Sequence, residues 1–398
     1  MGEDRTILHC DLNGFYASVE ALSHPEIGDN PMAVAGDPKN RHGIILAKNE
    51  SAKSYGVSTG EAIWQARRKC PKLIILPPSH GKYAEYSKKI NALYARFTDK
   101  VEPFGIDESW LDVGGSRKLF GGGKQIADTL RALVKKEFSL TISVGVSYNK
   151  VFAKLASDYK KPDATTVFDR SSLDLIRSLP AKDLLFIGRS TSESLAKMGI
   201  KTIGELADSN QRTLELRFGK FGRTMREYAR GEDNSPVSDY GAIEEAKSIG
   251  NSITFARDLL GEADIRAGFT KVAEKVSRRL NDAALKCSAM QVTIKGADFS
   301  YMTRQCRIDK ASNSISTLVK YALGLAERSW DMGSAVRMLG ISGHCLSGEG
   351  APVQCELFSD PETENSARRE AAEHAFIEIK RKFGASSIEF GDVLDRDL

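Results

Sequence analysis

Apolar positions along the chain fall into two rhythms: short saturated runs, and longer stretches spaced three or four residues apart. Thr6–Leu12 is an apolar run that ends on an acid, Asp11, and reads as a strand. It leads through Asn13-Gly14 into Phe15–Leu22, whose spacing and helix-forming residues predict a helix. Met32–Ala35 and Gly43–Ala47 read as strands around a polar turn. Glu61–Cys70 reads as a short helix stopped by Pro71, and Tyr83–Lys100 as a long amphipathic helix. Two strands flank a tight turn within Val101–Val113. Lys124–Phe138 is helical, Leu140–Val146 is a strand rich in β-branched residues, and Asn149–Tyr159 is a helix that stops at Lys161-Pro162. The order β-α-β…β-β-α-β-α predicts a ferredoxin-like sheet with an insertion.

Beyond Asp169 the rhythm changes. Short helices alternate with Gly-centred turns to about Gly231, and the polar stretch Glu232–Ala246 reads as a linker. Lys247–Cys345 carries strand-like runs (Ser248–Phe255, Met290–Lys295, Val336–Ile341) and two helical stretches (Ile265–Ala284, Ser312–Arg328). These compose a second α+β domain. Ser366–Phe383 reads as an amphipathic helix to which the sequence assigns no role.

Length adds two or three domains as the expectation for 398 residues, and 41% hydrophobic with 28% charged residues is the composition of a globular protein. No apolar run reaches the ~18 residues of a membrane span, and Met1–Arg5 is too polar for a signal peptide, so a cytoplasmic protein is expected. Six scattered cysteines without a C-x-x-C pair argue for free thiols. Net charge is +4, yet residues 346–398 hold 6 Lys+Arg against 12 Asp+Glu, which leaves 51 against 41 for residues 1–345. A basic body with an acidic tail suggests a polyanionic partner for the body.

Three acids stand out: Asp11 at a strand end, and the pair Asp107-Glu108 at a hairpin. Neighbours on an ideal strand face opposite sides, so both reach one point only where the backbone bends, which Gly105 permits. Three converging carboxylates repel one another unless divalent cations neutralise them. Hard oxygen ligands in this number suit Mg²⁺. Two such ions would clamp the attacking and leaving oxygens of a phosphoryl transfer. Alone, an Asp-Glu pair is more often a turn cap or a lysine partner. The surrounding motifs decide the matter.

Asp11-Leu-Asn-Gly-Phe-Tyr-Ala-Ser-Val-Glu20, Asn49-Glu-Ser-Ala-Lys-Ser-Tyr-Gly-Val57, Gly105-Ile-Asp-Glu-Ser-Trp-Leu-Asp112 and Ser147–Asp158 followed by Lys160-Lys-Pro162 occur in that order. With these motifs the chain resembles the Y-family of translesion DNA polymerases, in its DNA polymerase IV-like branch, over nearly its whole length. The resemblance implies an α+β multidomain fold: a palm (1–12 and 79–168), fingers (13–78), a helical thumb (169–231), a linker (232–246) and an α+β little finger (247–345). An acidic tail (346–398) carries a clamp-binding peptide. It implies two Mg²⁺ held by Asp11, Asp107, Glu108 and the carbonyl of Leu12. Phe15 and Tyr16 would wrap a triphosphate with their amides, and Tyr16 would be the steric gate against a ribose 2′-OH. Lys53 and Lys161 match the triphosphate's basic contacts, and Ile44 and Leu46 the roof over the nascent pair. By pattern, those last two are simply a buried strand.

Two positions depart from the family. Asn13 stands where an acid is frequent, and Glu50 with Lys53 replaces Tyr-x-x-Arg, which loses bidentate phosphate geometry. Leu184–Arg189 and Leu195–Leu206 look like a helix-hairpin-helix unit, whose glycines Gly188 and Gly199 would let amides approach DNA phosphates. Gln354-Cys-Glu-Leu-Phe358 fits the Q-x-x-L-F type of bacterial sliding-clamp peptide, with Leu357 and Phe358 filling an apolar pocket and Gln354 fixing register. The reading implied is a monomeric, low-fidelity DNA polymerase acting on primer-template DNA and dNTPs, tethered to a clamp. Its rivals are a catalytically silent scaffold that binds clamp and DNA, and a nucleotide cyclase on a similar palm.

Overall fold

The computed structural model of the chain describes residues 5–37, 43–242, 245–348, 362–384, 387–391 and 393. Two compact units, Met1–Ile243 and Glu244–Leu398, make up an α+β multidomain protein. The strands in chain order are β1 (Ile7–Leu12), β2 (Met32–Ala35), β3 (Ile45–Lys48), β4 (Ile74–Leu76), β5 (Val101–Pro103), β6 (Glu108–Asp112), β7 (Ile142–Ser147) and β8 (Thr165–Phe168) in the first unit. The second holds β9 (Ser248–Leu259), β10 (Leu285–Gly296), β11 (Tyr301–Ser312) and β12 (Val336–Gly348).

The main sheet of the first unit runs β5-β6-β1-β7-β8, with β1 at its centre between antiparallel neighbours. This central strand is covered on both faces, and all six residues of β1 are buried, His9 and Asp11 included. Leu8, Cys10 and Leu12 pack with side chains of the His80–Tyr94 and Gly123–Phe138 helices. Ile7, His9 and Asp11 face the other way, towards the Lys150–Tyr159 helix, where Ile7 meets Ala153 and His9 Nδ1 lies 2.8 Å from Ser157 Oγ. That helix sits close because Gly145, opposite His9 in β7, has no side chain: a Cβ there would collide with the Ala153 carbonyl and the Ser157 amide. The His80–Tyr94 helix ends before the predicted Lys100. The apolar spacing continues to Phe97, which reaches the core through a tightened turn in which its amide donates to Tyr94 O.

A smaller sheet, β3-β2-β4, carries its own core of Ala33, Ile45, Ala52, Ile63 and neighbours. Here the pattern misled for Ile44 and Leu46. β3 is an edge strand that turns Ile45 into this core, whereas Leu46 is half-buried and Ile44, just before the strand, is 42% exposed. Between residues 169 and 231, short helices bury Ile176, Leu195, Ile203, Leu214 and Met225 in a helical core.

In the second unit an antiparallel sheet, β11-β10-β12-β9, packs one face on the Gly261–Asp282 and Ile315–Ser329 helices. Its strands outrun the sequence expectation, and β11 was not foreseen. Met302 and Ile308 turn inward while Tyr301, Thr303, Gln305 and Arg307 stay exposed, so half of the strand is polar. The Glu362–Phe383 helix belongs to this body: Phe376 and Ile377 join its core, and Lys380 Nζ pairs with Glu274 at 2.8 Å. Part of the acidic stretch expected as a tail is therefore packed. Among the described residues no helix is long and apolar enough to cross a membrane, and the five described cysteines are free.

Candidate active site

Strand register places the acids. Asp11 in β1 lies directly opposite Glu108, the first residue of β6, so their side chains share a face. Asp107 lies just outside β6, in a turn opened by Gly105 at φ +82°, and its carbonyl accepts from Leu12 N at 3.0 Å. The expected bend is thus a turn, and it delivers both members of the Asp-Glu pair to the end of β1. These acids line one cleft of about 440 Å³ together with Leu12, Phe15, Tyr16, Leu46 and Lys161. Ile44 and Lys53 are not among its lining. Lys53 is exposed on the Glu50–Ser54 helix and pairs with Glu50 at 3.2 Å.

Burial, then repulsion from Asp11 and Glu108, pushes the Asp107 carboxyl up to about 6. Lys154 Nζ lies 2.9 Å from Glu108 Oε1 and 3.2 Å from Asp11 Oδ2, and Lys161 Nζ lies 2.6 Å from Asp11 Oδ2. With these ammonium groups among the acids, no group of three or more His, Cys, Asp or Glu side chains among the described residues stands ready as a metal shell. The donor set is nonetheless three hard carboxylates at a strand end, which suits Mg²⁺ and not a soft ion. His9 Nε2 approaches Glu108 Oε2 to 3.3 Å without a hydrogen bond, and burial followed by Lys154 drives its ring down to about 3, so it is neutral.

Beside the acids, the Phe15–Ser23 helix begins at Gly14 with no side-chain cap, which leaves backbone N–H groups at the cleft wall. Tyr16 stacks on Tyr83, with centroids 4.0 Å apart and planes 15° apart. Tyr83 is itself fixed, donating to Glu20 at 2.5 Å and accepting from Ser79 N. Sequence reasoning assigned no role to Lys48 or Lys154. Lys48 follows Leu46 by two residues in β3, so strand alternation could have put it in the cleft. Lys154 stands four residues before Asp158 on one helix, a pairing the sequence shows but does not place.

Gly188 caps the Arg189–Lys197 helix and Gly199, at φ +81°, turns the chain towards the Ile203–Asp208 helix; both lie apart from the cleft lining. Gln354, Leu357 and Phe358 fall outside the described residues.

Residues 10–158 match the impB/mucB/samB family, and residues 246–357 match the C-terminal domain of that family. DNA polymerase IV of Acetivibrio thermocellus is 42% identical over 396 residues, covering 99% of each chain. DNA polymerase IV 1 of Bacillus subtilis is 35% identical over 402 residues, covering 100% of this chain and 95% of the relative. A solved Y-family DNA polymerase chimera superposes with a TM-score of 0.76 at 23% identity, covering 86% of this chain and all of that one, and shares the fold. The chain belongs to the impB/mucB/samB family, the Y-family of translesion DNA polymerases, a class of DNA-directed DNA polymerases. Within that class, its full-length relatives are DNA polymerase IV enzymes.

Proposed function

We propose that the cleft extends a primer 3′-OH with deoxynucleotides on damaged as well as intact template, with pyrophosphate as the leaving group. The observation that carries the proposal is the cross-strand pair Asp11–Glu108, with Asp107 tied to Leu12, beside an uncapped helix N-terminus. Asp11, the Leu12 carbonyl, Asp107 and Glu108 would hold two Mg²⁺. These ions would supply the Lewis acidity that lowers the pKa of the 3′-OH and offsets triphosphate charge.

The protein's own groups do the rest. Amides of Phe15 and Tyr16 receive phosphate oxygens at the helix N-terminus, and Lys161 adds a cation at the same wall. Lys53 serves the triphosphate after exchanging Glu50 for a phosphate oxygen. Tyr16, braced on Tyr83, fills the space of a ribose 2′-OH. Leu46 in the cleft lining and Ile44, 42% exposed, offer apolar surface as the roof of a nascent base pair. Gly188 and Gly199 bring amides to DNA phosphates without reading sequence, and the polar face of β10 and β11 lies along the duplex. We assign residues 1–12 and 79–168 to the palm, 13–78 to the fingers, 169–231 to the thumb and 247–345 to the little finger. Gln354, Leu357 and Phe358 would dock a sliding clamp.

Primer extension by the full chain, compared with Asp107→Ala/Glu108→Ala, tests the reading. Equal extension by both proteins rejects it in favour of a silent scaffold. Deleting residues 354–358 is expected to remove only the stimulation by clamp; equal loss of clamp-free synthesis rejects tethering.

A further inference from the structure

Four charged side chains at the cleft, Lys154, Asp11, Lys161 and Asp158, form a closed alternation, and Glu108 joins it through Lys154. Lys154 Nζ contacts Glu108 Oε1 at 2.9 Å, Asp11 Oδ2 at 3.2 Å and Asp158 Oδ2 at 3.3 Å. Lys161 Nζ contacts Asp11 Oδ2 and Asp158 Oδ1, each at 2.6 Å. The two acids of this ring differ in burial: the Asp11 side chain is 7% exposed and that of Asp158 is 42% exposed. Local geometry accounts for the arrangement. Asp11 and Glu108 are opposed across β1 and β6. Lys154 and Asp158 lie one turn apart on the Lys150–Tyr159 helix, which packs over that strand face.

Two carboxylates held this close, with little water to screen them, need a positive charge between them. The Lys154 ammonium provides it. A divalent cation bound by the same oxygens would repel that ammonium, because like charges a few ångströms apart in a half-buried site interact strongly. Asp158 already touches both lysines and lies on the open side, so a side-chain rotation of Lys154 keeps it paired.

We propose that Lys154 is an internal counter-ion of the carboxylate cluster, holding Asp11 and Glu108 in place without a divalent cation and passing to Asp158 when one binds. The inference rests on the reading of Asp11, Asp107 and Glu108 as cation ligands. Lys154 is then a positioning residue, and Asp158 is the group that receives it. Cation affinity is set by this exchange, since each bound cation must displace an ammonium that the acids already hold.

The test reads cation binding and not synthesis. Mn²⁺, which takes the same oxygen donors as Mg²⁺, is titrated into the full chain without DNA or nucleotide, and free ion is followed by its electron paramagnetic resonance signal. Lys154→Met removes the competitor and keeps the apolar stem; Mn²⁺ is expected to bind about tenfold more tightly, within the usual range of coupling between two sites. Asp158→Asn removes the lysine's second partner, and binding is expected to weaken severalfold. The gain in Lys154→Met should persist in about 0.5 M KCl, because partly buried pairs escape the screening that removes long-range effects. Lys154→Arg should restore affinity towards that of the wild type.

Unchanged or weaker binding by Lys154→Met overturns the inference, as does a gain that salt abolishes. Should Lys154→Met not fold, Asp158→Asn decides: binding no weaker than wild type overturns the inference. An Asp107→Ala control separates the two levels. If it binds Mn²⁺ as wild type does, the cation reading fails and the inference with it; if it loses binding while Lys154→Met stays at the wild-type value, only the inference fails.

Discussion

The Glu373 carboxylate caps a helix that lies 58 residues earlier in the chain, and its removal gives a quantitative test of how the C-terminal helix is held. Glu373 accepts from Ile315 N at 2.6 Å and from Ser316 N at 3.0 Å, at the start of the Ile315–Ser329 helix, while Ser314 caps Thr317 N. Glu373 is 8% exposed and Ile315 2% exposed, so water does not readily replace the carboxylate there. In Glu373→Ala the buried Ile315 amide loses its acceptor, a loss of about 1–3 kcal/mol. The half-buried Ser316 amide and the missing negative charge at a helix N-terminus add about 1 kcal/mol. The expected total is about 2–4 kcal/mol. Glu373→Gln keeps one neutral acceptor and should lose about half of that. For a unit of this size the Ala variant should lower the melting temperature by about 5–10 °C. Thermal unfolding of the full chain, followed by circular dichroism, measures the shift. A change under about 1 °C, or an equal loss in the Gln variant, would refute the argument that charge-assisted capping anchors the Glu362–Phe383 helix.

Gly145→Ala should destabilise the first unit by about 3 kcal/mol or more, because the added methyl meets helix backbone and not a movable side chain; urea unfolding within 1 kcal/mol of wild type would refute the packing account. Burial alone would push Glu102 up, but the Lys150 ammonium at 2.6 Å and the Ser238 amide overrule it and hold its carboxyl below the ordinary range. Its stabilising contribution is therefore present above the unfolded value near 4.5 and lost as pH falls through the folded one. Glu102→Gln should accordingly be less stable than wild type at pH 7 and converge with it in acid; a gap that does not narrow refutes the assignment. Tyr16→Ala should admit ribonucleotides in primer extension, and unchanged discrimination would remove Tyr16 as the gate.

Much of the candidate site was legible in the sequence. A saturated run ending in Asp11, and an acidic pair two residues after Gly105, are local features, and local chemistry survives folding. The alternation of strands and helices gave the main sheet because a buried strand such as β1 carries a mainly apolar run, Ile7, Leu8, Cys10 and Leu12, with His9 and Asp11 between. Pattern failed where a strand has one solvated face: β11, with Thr303, Gln305 and Arg307 outward, does not look like a strand. It misled at Ile44 for a different reason: this residue lies just before β3 and stays 42% exposed, which depends on what packs there.

The sequence by itself determined which groups are present and in what order, and it put Asp11 on a strand and Tyr16 on a helix. Asp11, Asp107, Glu108, Tyr16 and Lys161 could all be named from it, because motif spacing is a property of the chain. Only the tertiary structure decided who meets whom. That Asp11 faces Glu108 is a matter of register between β1 and β6, and that Lys154 stands between them depends on how closely a helix approaches at Gly145. That Glu373 caps a helix far back in the chain follows from the docking of the Glu362–Phe383 helix. These are contacts between residues tens to hundreds of positions apart. Their partners are chosen by packing, and no local pattern records that choice.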